Sequence, residues 1–326
     1  MGGGFYYYIH GFVQLLSGKG ALYGKRAGAV AGSDFSGIVE EIGSNVPHGL
    51  RSIGERVAGL VLGGRSSFDN KIIQQNWSHP ALFLILSNPS VLLCFAGVGP
   101  QLEHPGAFSE YLVTYADFVV HVPDNWSFED AAQLGIAPFT ALMALYDLLD
   151  FPEPHLHESV PNPNPPQTST GSTSIIPILI SGGASSVGLY AIQLAKLSSL
   201  YVIATASERN FDLVRSFGAD VVVNYRDPAS AVKQIREAAS AAGSGPIEHA
   251  LDCVSTGTSF EIIAAALDGN GAIATLTLGS YPLVEGVKVT SGIIFDYFGK
   301  VRFPSSHHTS PRPRSHLLSS TECQTR

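Results

Sequence analysis

The stretch ILISGGASSVGLYAIQLAKL, residues 178–197, decides how the rest of the chain is read. It opens as a short apolar run, passes through two glycines and continues with apolar residues at helical spacing. Strand, tight glycine turn and helix, in that order, form the context in which a G-x-G-x-x-G pattern carries weight. The first glycine makes the turn, the second lets backbone approach a pyrophosphate, and the third lets helix pack on strand. Here the register is Gly183-Ala184-Ser185-Ser186-Val187-Gly188, with a serine where the middle glycine belongs. We read a dinucleotide-binding loop in which the first N–H groups of the helix hold phosphate. The Ser185 hydroxyl is expected to donate to a phosphate oxygen. A tight structural turn with no ligand is the alternative.

Working outward, strands IIPILIS (175–181), YVIATAS (201–207), VVVNY (221–225), HALDCVS (249–255) and GAIATLTL (271–278) alternate with helical segments. Those helices lie around NFDLVRSFGA (210–219), SAVKQIREAASAAG (230–243) and SFEIIAAAL (259–267). Such alternation means βαβ units, hence an α/β fold with a Rossmann-type parallel sheet. We assign it to residues 136–300. Upstream, GAVAGSDFSGIVEEIG (28–43), GLRSIGERVAGLVLGG (49–64) and GAFSEYLVTYADFVVHVPDN (106–125) are short apolar runs between turns. They predict a small β domain over 28–135. SFEDAAQLGIAPFTALMALYDLL (127–149) changes to helical spacing and predicts one helix, with Ser127 as N-cap and Asp130 three residues on. The Pro-rich segment 151–174 reads as a surface loop. Residues 64–105 show no pattern that ties them to their neighbours.

Composition narrows the function classes. The 326 residues are 45% hydrophobic and 14% charged, with a net charge of -8. That balance suits a globular enzyme and argues against a nucleic-acid surface, which needs clustered Lys and Arg. The apolar run 80–99 is broken by Ser87, Asn88 and Pro89, short of a membrane span. Cys94, Cys253 and Cys323 lie far apart, with neither a disulfide framework nor zinc-ribbon spacing. A reducing compartment, the cytoplasm, is the simplest expectation.

The end of the second parallel strand tests which dinucleotide is meant. Enzymes that use NAD place an acidic residue there, about 20 residues past the loop, to hold the ribose 2′-OH. Here the strand ends in Ser207-Glu208-Arg209-Asn210. A small hydroxyl beside an arginine leaves room and charge for a 2′-phosphate, so NADPH is favoured over NADH. A solvated helix start is the competing reading, and Glu208 speaks for it.

Several of these segments resemble one known family. GSDFSGIVEEIG (32–43) followed by GERVAG (54–59) resembles the GHE-x-x-G and G-D-x-V segments of the medium-chain dehydrogenases/reductases, and the 182–188 loop resembles their coenzyme loop. The resemblance implies a GroES-like β-barrel domain beside the Rossmann domain. In the zinc enzymes of that superfamily a histidine precedes the acidic residue; here Ser33 precedes Asp34. The clustered cysteines of their structural zinc are absent as well, so no metal is expected. Within the zinc-free branches the chain resembles the fungal trans-acting enoyl reductases that partner polyketide synthases. The shared features are a hydroxyl residue at the middle loop position and a strand end matched by Ser207, Asn210, Phe211, Asp212 and Leu213.

That resemblance implies NADPH phosphates against Ala184, Ser185, Ser186 and Val187, between turn glycines Gly183 and Gly188. It implies the 2′-phosphate region at Ser207, Glu208, Arg209 and Asn210, the adenine near Tyr225, and the nicotinamide near Leu276 and Thr277. Thr140 would line the same cleft. Leu276 suits a core strand position equally well. The implied reaction is hydride transfer to an α,β-unsaturated thioester, small or carrier-bound, with a polyketide synthase as candidate partner. No general acid is identified. The departures are equally specific. Residues 1–27 lack the family's opening strands, about 66–97 reads as an insertion of translated intron, and 301–326 reads as a disordered tail where the family continues. The β domain is therefore expected to be incomplete. A quinone- or enone-type oxidoreductase, and a nucleotide-binding chain without catalysis, stay open as alternatives.

Overall fold

The computed structural model describes residues 32–44, 46–61, 81–85, 107–108, 111–116, 119–154, 175–255, 258–267, 269–276, 281–282 and 284–294. The readings made for 1–27, for the tail 301–326, for Thr277 and for most of the 66–97 and 151–174 segments fall outside these residues.

The first unit is an antiparallel sheet built from β1 (Asp34–Ile42), β2 (Arg56–Leu60), β3 (Ala81–Ile85), β4 (Tyr111–Tyr115) and β5 (Val119–His121), ordered β4-β3-β1-β2-β5. Strand β3 lies inside the segment that the sequence left unconnected. Its apolar run ALFLI pairs with β1 on one side and β4 on the other. One face of the sheet packs Phe35, Val39, Val57, Val61, Leu112 and Val119, while Ala58 of β2 is buried against Val122 and Ala131, and Leu60 joins the main cluster of the second unit.

The second unit is a six-stranded parallel sheet. Its strands are β6 (Pro177–Ser181), β7 (Tyr201–Ala206), β8 (Val221–Asn224), β9 (His249–Asp252), β10 (Gly271–Thr275) and β11 (Val287–Ser291), ordered β11-β10-β9-β6-β7-β8. Every residue of β6 is buried, as expected of a strand covered on both faces. Ile178 and Ile180 face one apolar cluster with Ala191, Ile192 and Leu145. Leu179 faces the other with Ile203, Ile235, Phe260 and Ile263. The helices that cover these faces include α3 (Ser186–Leu197), α4 (Phe211–Ser216), α5 (Pro228–Ala241) and α6 (Ser259–Leu267). The chain steps outward from β6 to β8, then returns to β9 on the other flank. The order therefore reverses between β6 and β9, the switch point where such sheets open a crevice.

The helical segment 127–149 is not one helix. It forms α1 (Phe128–Ala131), a turn, then α2 (Ile136–Leu142), which runs on as the π-helical turn Met143–Leu148. Ser127 caps α1 as expected, its Oγ accepting the Asp130 N–H at 3.0 Å. The break comes from a long-range partner. The Asp34 carboxylate accepts the Ile136 N–H at 2.6 Å and so fixes where α2 starts. Gly135 makes room for it, since a Cβ there would collide with Asp34 Oδ1 and stand 2.7 Å from the Gly59 carbonyl. Tyr190 on α3 closes the joint by donating to the Gln133 carbonyl at 3.3 Å. Ser36 adds a bond to the Phe128 carbonyl at 2.6 Å.

Burial pushes the Asp34 carboxyl up from 3.8 to about 6, while the Ile136 N–H pulls the other way. A carboxyl with a raised folded-state pKa favours folding when protonated. That contribution is fully present below pH 3.8 and is lost as the pH rises through about 6. The difference amounts to about 3 kcal/mol at most. Asp34→Asn keeps an oxygen for Ile136 and removes the charge. It should melt above the wild type at pH 8, with the gap closing near pH 4, in thermal denaturation followed by circular dichroism. A variant that melts below the wild type at pH 8 would refute this account.

Candidate functional site

The glycine loop is held from below by the neighbouring strand. The Gly182 N–H donates to Thr205 Oγ1 at 3.1 Å, and the Gly183 N–H donates to the Thr205 carbonyl at 2.8 Å. Gly182, at φ 74°, takes the left-handed turn that the sequence reading had given to Gly183. A Cβ on Gly183 would lie 2.9 Å from the Ala204 Cβ, and one on Gly188 would run into the Gly182 carbonyl. The close helix–strand approach thus rests on these two glycines, as the fingerprint requires.

Ser185 has a local role that the sequence reading did not include. It is the N-cap of α3, with its Oγ accepting the Gly188 N–H at 3.0 Å, and it bonds to the Cys253 thiol on the adjacent strand end. Its side chain is thus engaged within the protein, whereas Ser186 beside it is exposed. Burial, reinforced by Asp252, pushes the Cys253 thiol well up, which makes it a poor nucleophile. Ala184 and Val187 pack partly into the core. Their backbone lies at the start of α3, where N–H groups have no intrahelical acceptor.

The second candidate cluster sits past β7. Residues Glu208–Asn210 form a single 3-10 turn, with the Asn210 amide donating to Ser207 Oγ at 3.3 Å. The Glu208 carboxylate is taken up by the Asn224 side chain at 2.8 Å, and the Arg226 N–H donates to the same asparagine at 3.0 Å. Tyr225 is 42% exposed next to it. Ser207 to Asn210 and Tyr225 therefore gather at the carboxyl ends of β7 and β8.

Leu276 follows β10, packs partly against the core, and donates its N–H to Ser255 Oγ at 3.4 Å. The packing matches the core-strand reading of Leu276. Thr140 lies on α2 at 6% exposure, and no side-chain bond joins it to the loop among the described residues. Ser33 and Asp34 stand at the start of β1, and among the described residues no group of three or more His, Cys, Asp or Glu gathers as a metal site would. Sequence reasoning missed Gly182, Thr205, Asn224, Asp252 and Ser255. A polar residue inside an apolar strand, as in YVIATA, was the available signal for Thr205.

Removing the cap tests the loop assignment. Ser185→Ala should destabilise the protein by about 1 kcal/mol, seen as a lower melting temperature, and Ser185→Gly by less. Gly188→Ala, which drives a methyl into backbone, should cost far more and reduce the folded yield. An unchanged melting temperature in Ser185→Ala would contradict the capping role.

Comparison with known proteins agrees with this architecture. The family described as alcohol dehydrogenase GroES-like domain matches residues 12–124, and the zinc-binding dehydrogenase family matches 186–296. A trans-enoyl reductase of Gibberella fujikuroi is 33% identical over 244 residues, covering 75% of this chain and 54% of its own length. Trans-enoyl reductase resD of Aspergillus sclerotiorum is 32% identical over 294 residues, covering 86% of this chain and 70% of its own. The chain thus spans little more than half the length of the curated relatives it matches first. The structure of Escherichia coli quinone oxidoreductase complexed with NADPH superimposes with a TM-score of 0.56 at 20% identity, over 88% of this chain and 70% of that one. With both halves of the fold matched and relatives of this similarity, the chain belongs to the medium-chain dehydrogenase/reductase family, among the relatives of the fungal trans-enoyl reductases.

Proposed function

We propose that the chain binds NADPH and acts as a zinc-independent enoyl reductase on an α,β-unsaturated thioester, small or carrier-bound. The observation that carries the cofactor choice is the turn after β7. Ser207 stands where a carboxylate would hold a ribose hydroxyl, and the nearby Glu208 is occupied by Asn224. Arg209 is left in the turn with no partner seen among the described residues, so its guanidinium is available to a 2′-phosphate. The residues present fit a dinucleotide, because Gly182, Gly183 and Gly188 let strand, turn and helix close on one another and so bring the first backbone N–H groups of α3 to the carboxyl end of β6.

Ala184 to Val187 would meet the pyrophosphate through backbone N–H groups, Ser207 to Asn210 the 2′-phosphate, Tyr225 the adenine, and Leu276, Thr277 and Thr140 the nicotinamide side. When bound, NADPH supplies a hydride to the β-carbon of the substrate. The names of the trans-enoyl reductase relatives support this substrate class. A polyketide synthase is the partner this reading suggests, and a reducing cytoplasm, where Cys253 stays a thiol, is its setting. We divide the chain into a β domain over 28–135 and a nucleotide domain over 136–300. Ser33 in the position of a zinc-binding histidine supports the metal-free reading.

Fluorescence titration followed by a crotonyl-thioester assay tests the proposal. NADPH should bind at least about tenfold more tightly than NADH, and Arg209→Ala should lose about that factor for NADPH alone, as for one charge-assisted contact. Reduction of quinones but not of the thioester would move the assignment to the quinone oxidoreductases. Binding without turnover of either would make the chain a nucleotide-binding protein only, and failure to bind NADPH would overturn the reading altogether.

A further inference from the structure

We propose that Asp252 is a positioning residue that locks the phosphate half of the dinucleotide site to its nicotinamide half through the turn Cys253–Ser255. The inference rests on the dinucleotide reading above and goes beyond it, since Asp252 itself need not touch the ligand.

Asp252 ends β9, at the switch point. It is paired in register with Ser181 on β6 and with Thr275 on β10, and its side chain is fully buried. A buried carboxylate is costly unless its oxygens are filled, and here they are filled by its own turn. Oδ1 accepts the Val254 and Ser255 N–H groups at 3.0 Å each, and Oδ2 accepts the Ser259 hydroxyl at 2.9 Å. These bonds hold Ser255 at φ 54°, a backbone conformation that a non-glycine residue adopts only when its surroundings impose it.

The turn so folded touches both halves of the site. Toward the phosphate side, the Cys253 N–H donates to the Ser181 carbonyl at 3.1 Å, and its thiol meets Ser185. The Val254 methyl occupies the space a Gly182 side chain would need, 2.6 Å from where its Cβ would lie. Toward the other side, Ser255 donates its hydroxyl to the Asp252 carbonyl at 3.0 Å, which turns its lone pairs to the Leu276 N–H. One carboxylate therefore sets the spacing between the glycine loop and the end of β10. A ligand that spans both would feel a change there, and a ligand that occupies only the adenosine end would not.

The experiment compares NADPH with adenosine 2′,5′-bisphosphate, which carries only the adenosine half, in fluorescence and calorimetric titrations of two variants. Ser255→Gly removes the hydroxyl and keeps a residue that accepts positive φ. Asp252→Asn removes an acceptor and leaves the chain isosteric. Ser255→Gly should weaken NADPH about fivefold, the worth of one hydrogen bond, with the bisphosphate bound as in the wild type. Asp252→Asn should show the same asymmetry, enlarged. Equal losses for both ligands, or no loss, would overturn the positioning role, because a purely structural residue lowers stability without choosing between halves. Should Asp252→Asn fail to fold, Ser255→Gly decides by the same comparison. A wild-type chain that binds neither ligand would instead sink the dinucleotide reading itself.

Discussion

The architecture depends on a layer of buried polar side chains at the carboxyl end of the parallel sheet. Ser181, Thr205, Asp252 and Thr275 lie on four adjacent strands, and each is at most 4% exposed. Buried hydroxyls and carboxylates are tolerated only where hydrogen bonds replace water. Here the replacements are the loops themselves. Thr205 takes the first glycine N–H, Asp252 takes three donors from the segment that follows it, and Thr275 meets the Ser291 hydroxyl at 2.8 Å. The layer thus turns an apolar sheet edge into a scaffold that dictates where each loop begins. A crevice at the switch point is a property of the topology, and these four side chains tie down the backbone and side chains around the strand ends there.

The joint between the two sheets follows the same logic with a charge in place of hydroxyls. Asp34 belongs to the antiparallel unit, yet its bond ends on α2, which packs beside the nucleotide helix α3. Burying that carboxyl costs stability at neutral pH, and an amide would serve the Ile136 N–H as well.

How much of this was legible in sequence depends on the range of the interaction. The βαβ order, the capping of α1 by Ser127 and the positions of Gly183 and Gly188 were readable because strand periodicity, caps and tight turns are local. The break before α2 was not, because apolar spacing continues through residues 132–135 and the residue that interrupts it is a carboxylate 102 positions away. With two adjacent glycines the reading gave the turn to Gly183, and only the positive φ of Gly182 moves it. Strand β3 escaped notice because a short apolar run carries no period of its own. At the strand ends, Asn224 was read only as part of strand VVVNY, because its partner Glu208 lies on another strand's loop.

The serine in the fingerprint has a structural meaning beside the one its position suggests. At φ -76° and ψ 161°, Ser185 sits in extended backbone that any residue adopts, so a glycine there would serve clearance and not conformation. A glycine would also leave more freedom in the unfolded chain and give up the cap on α3, both unfavourable to stability. Serine avoids both costs because its Oγ is drawn to the Gly188 N–H. The substitution is thus first a device of helix stability. In the NADPH site proposed above, discrimination between a phosphorylated and a free ribose falls to the turn after β7, where Asn224 occupies Glu208 and Arg209 would be the charge that a 2′-phosphate meets.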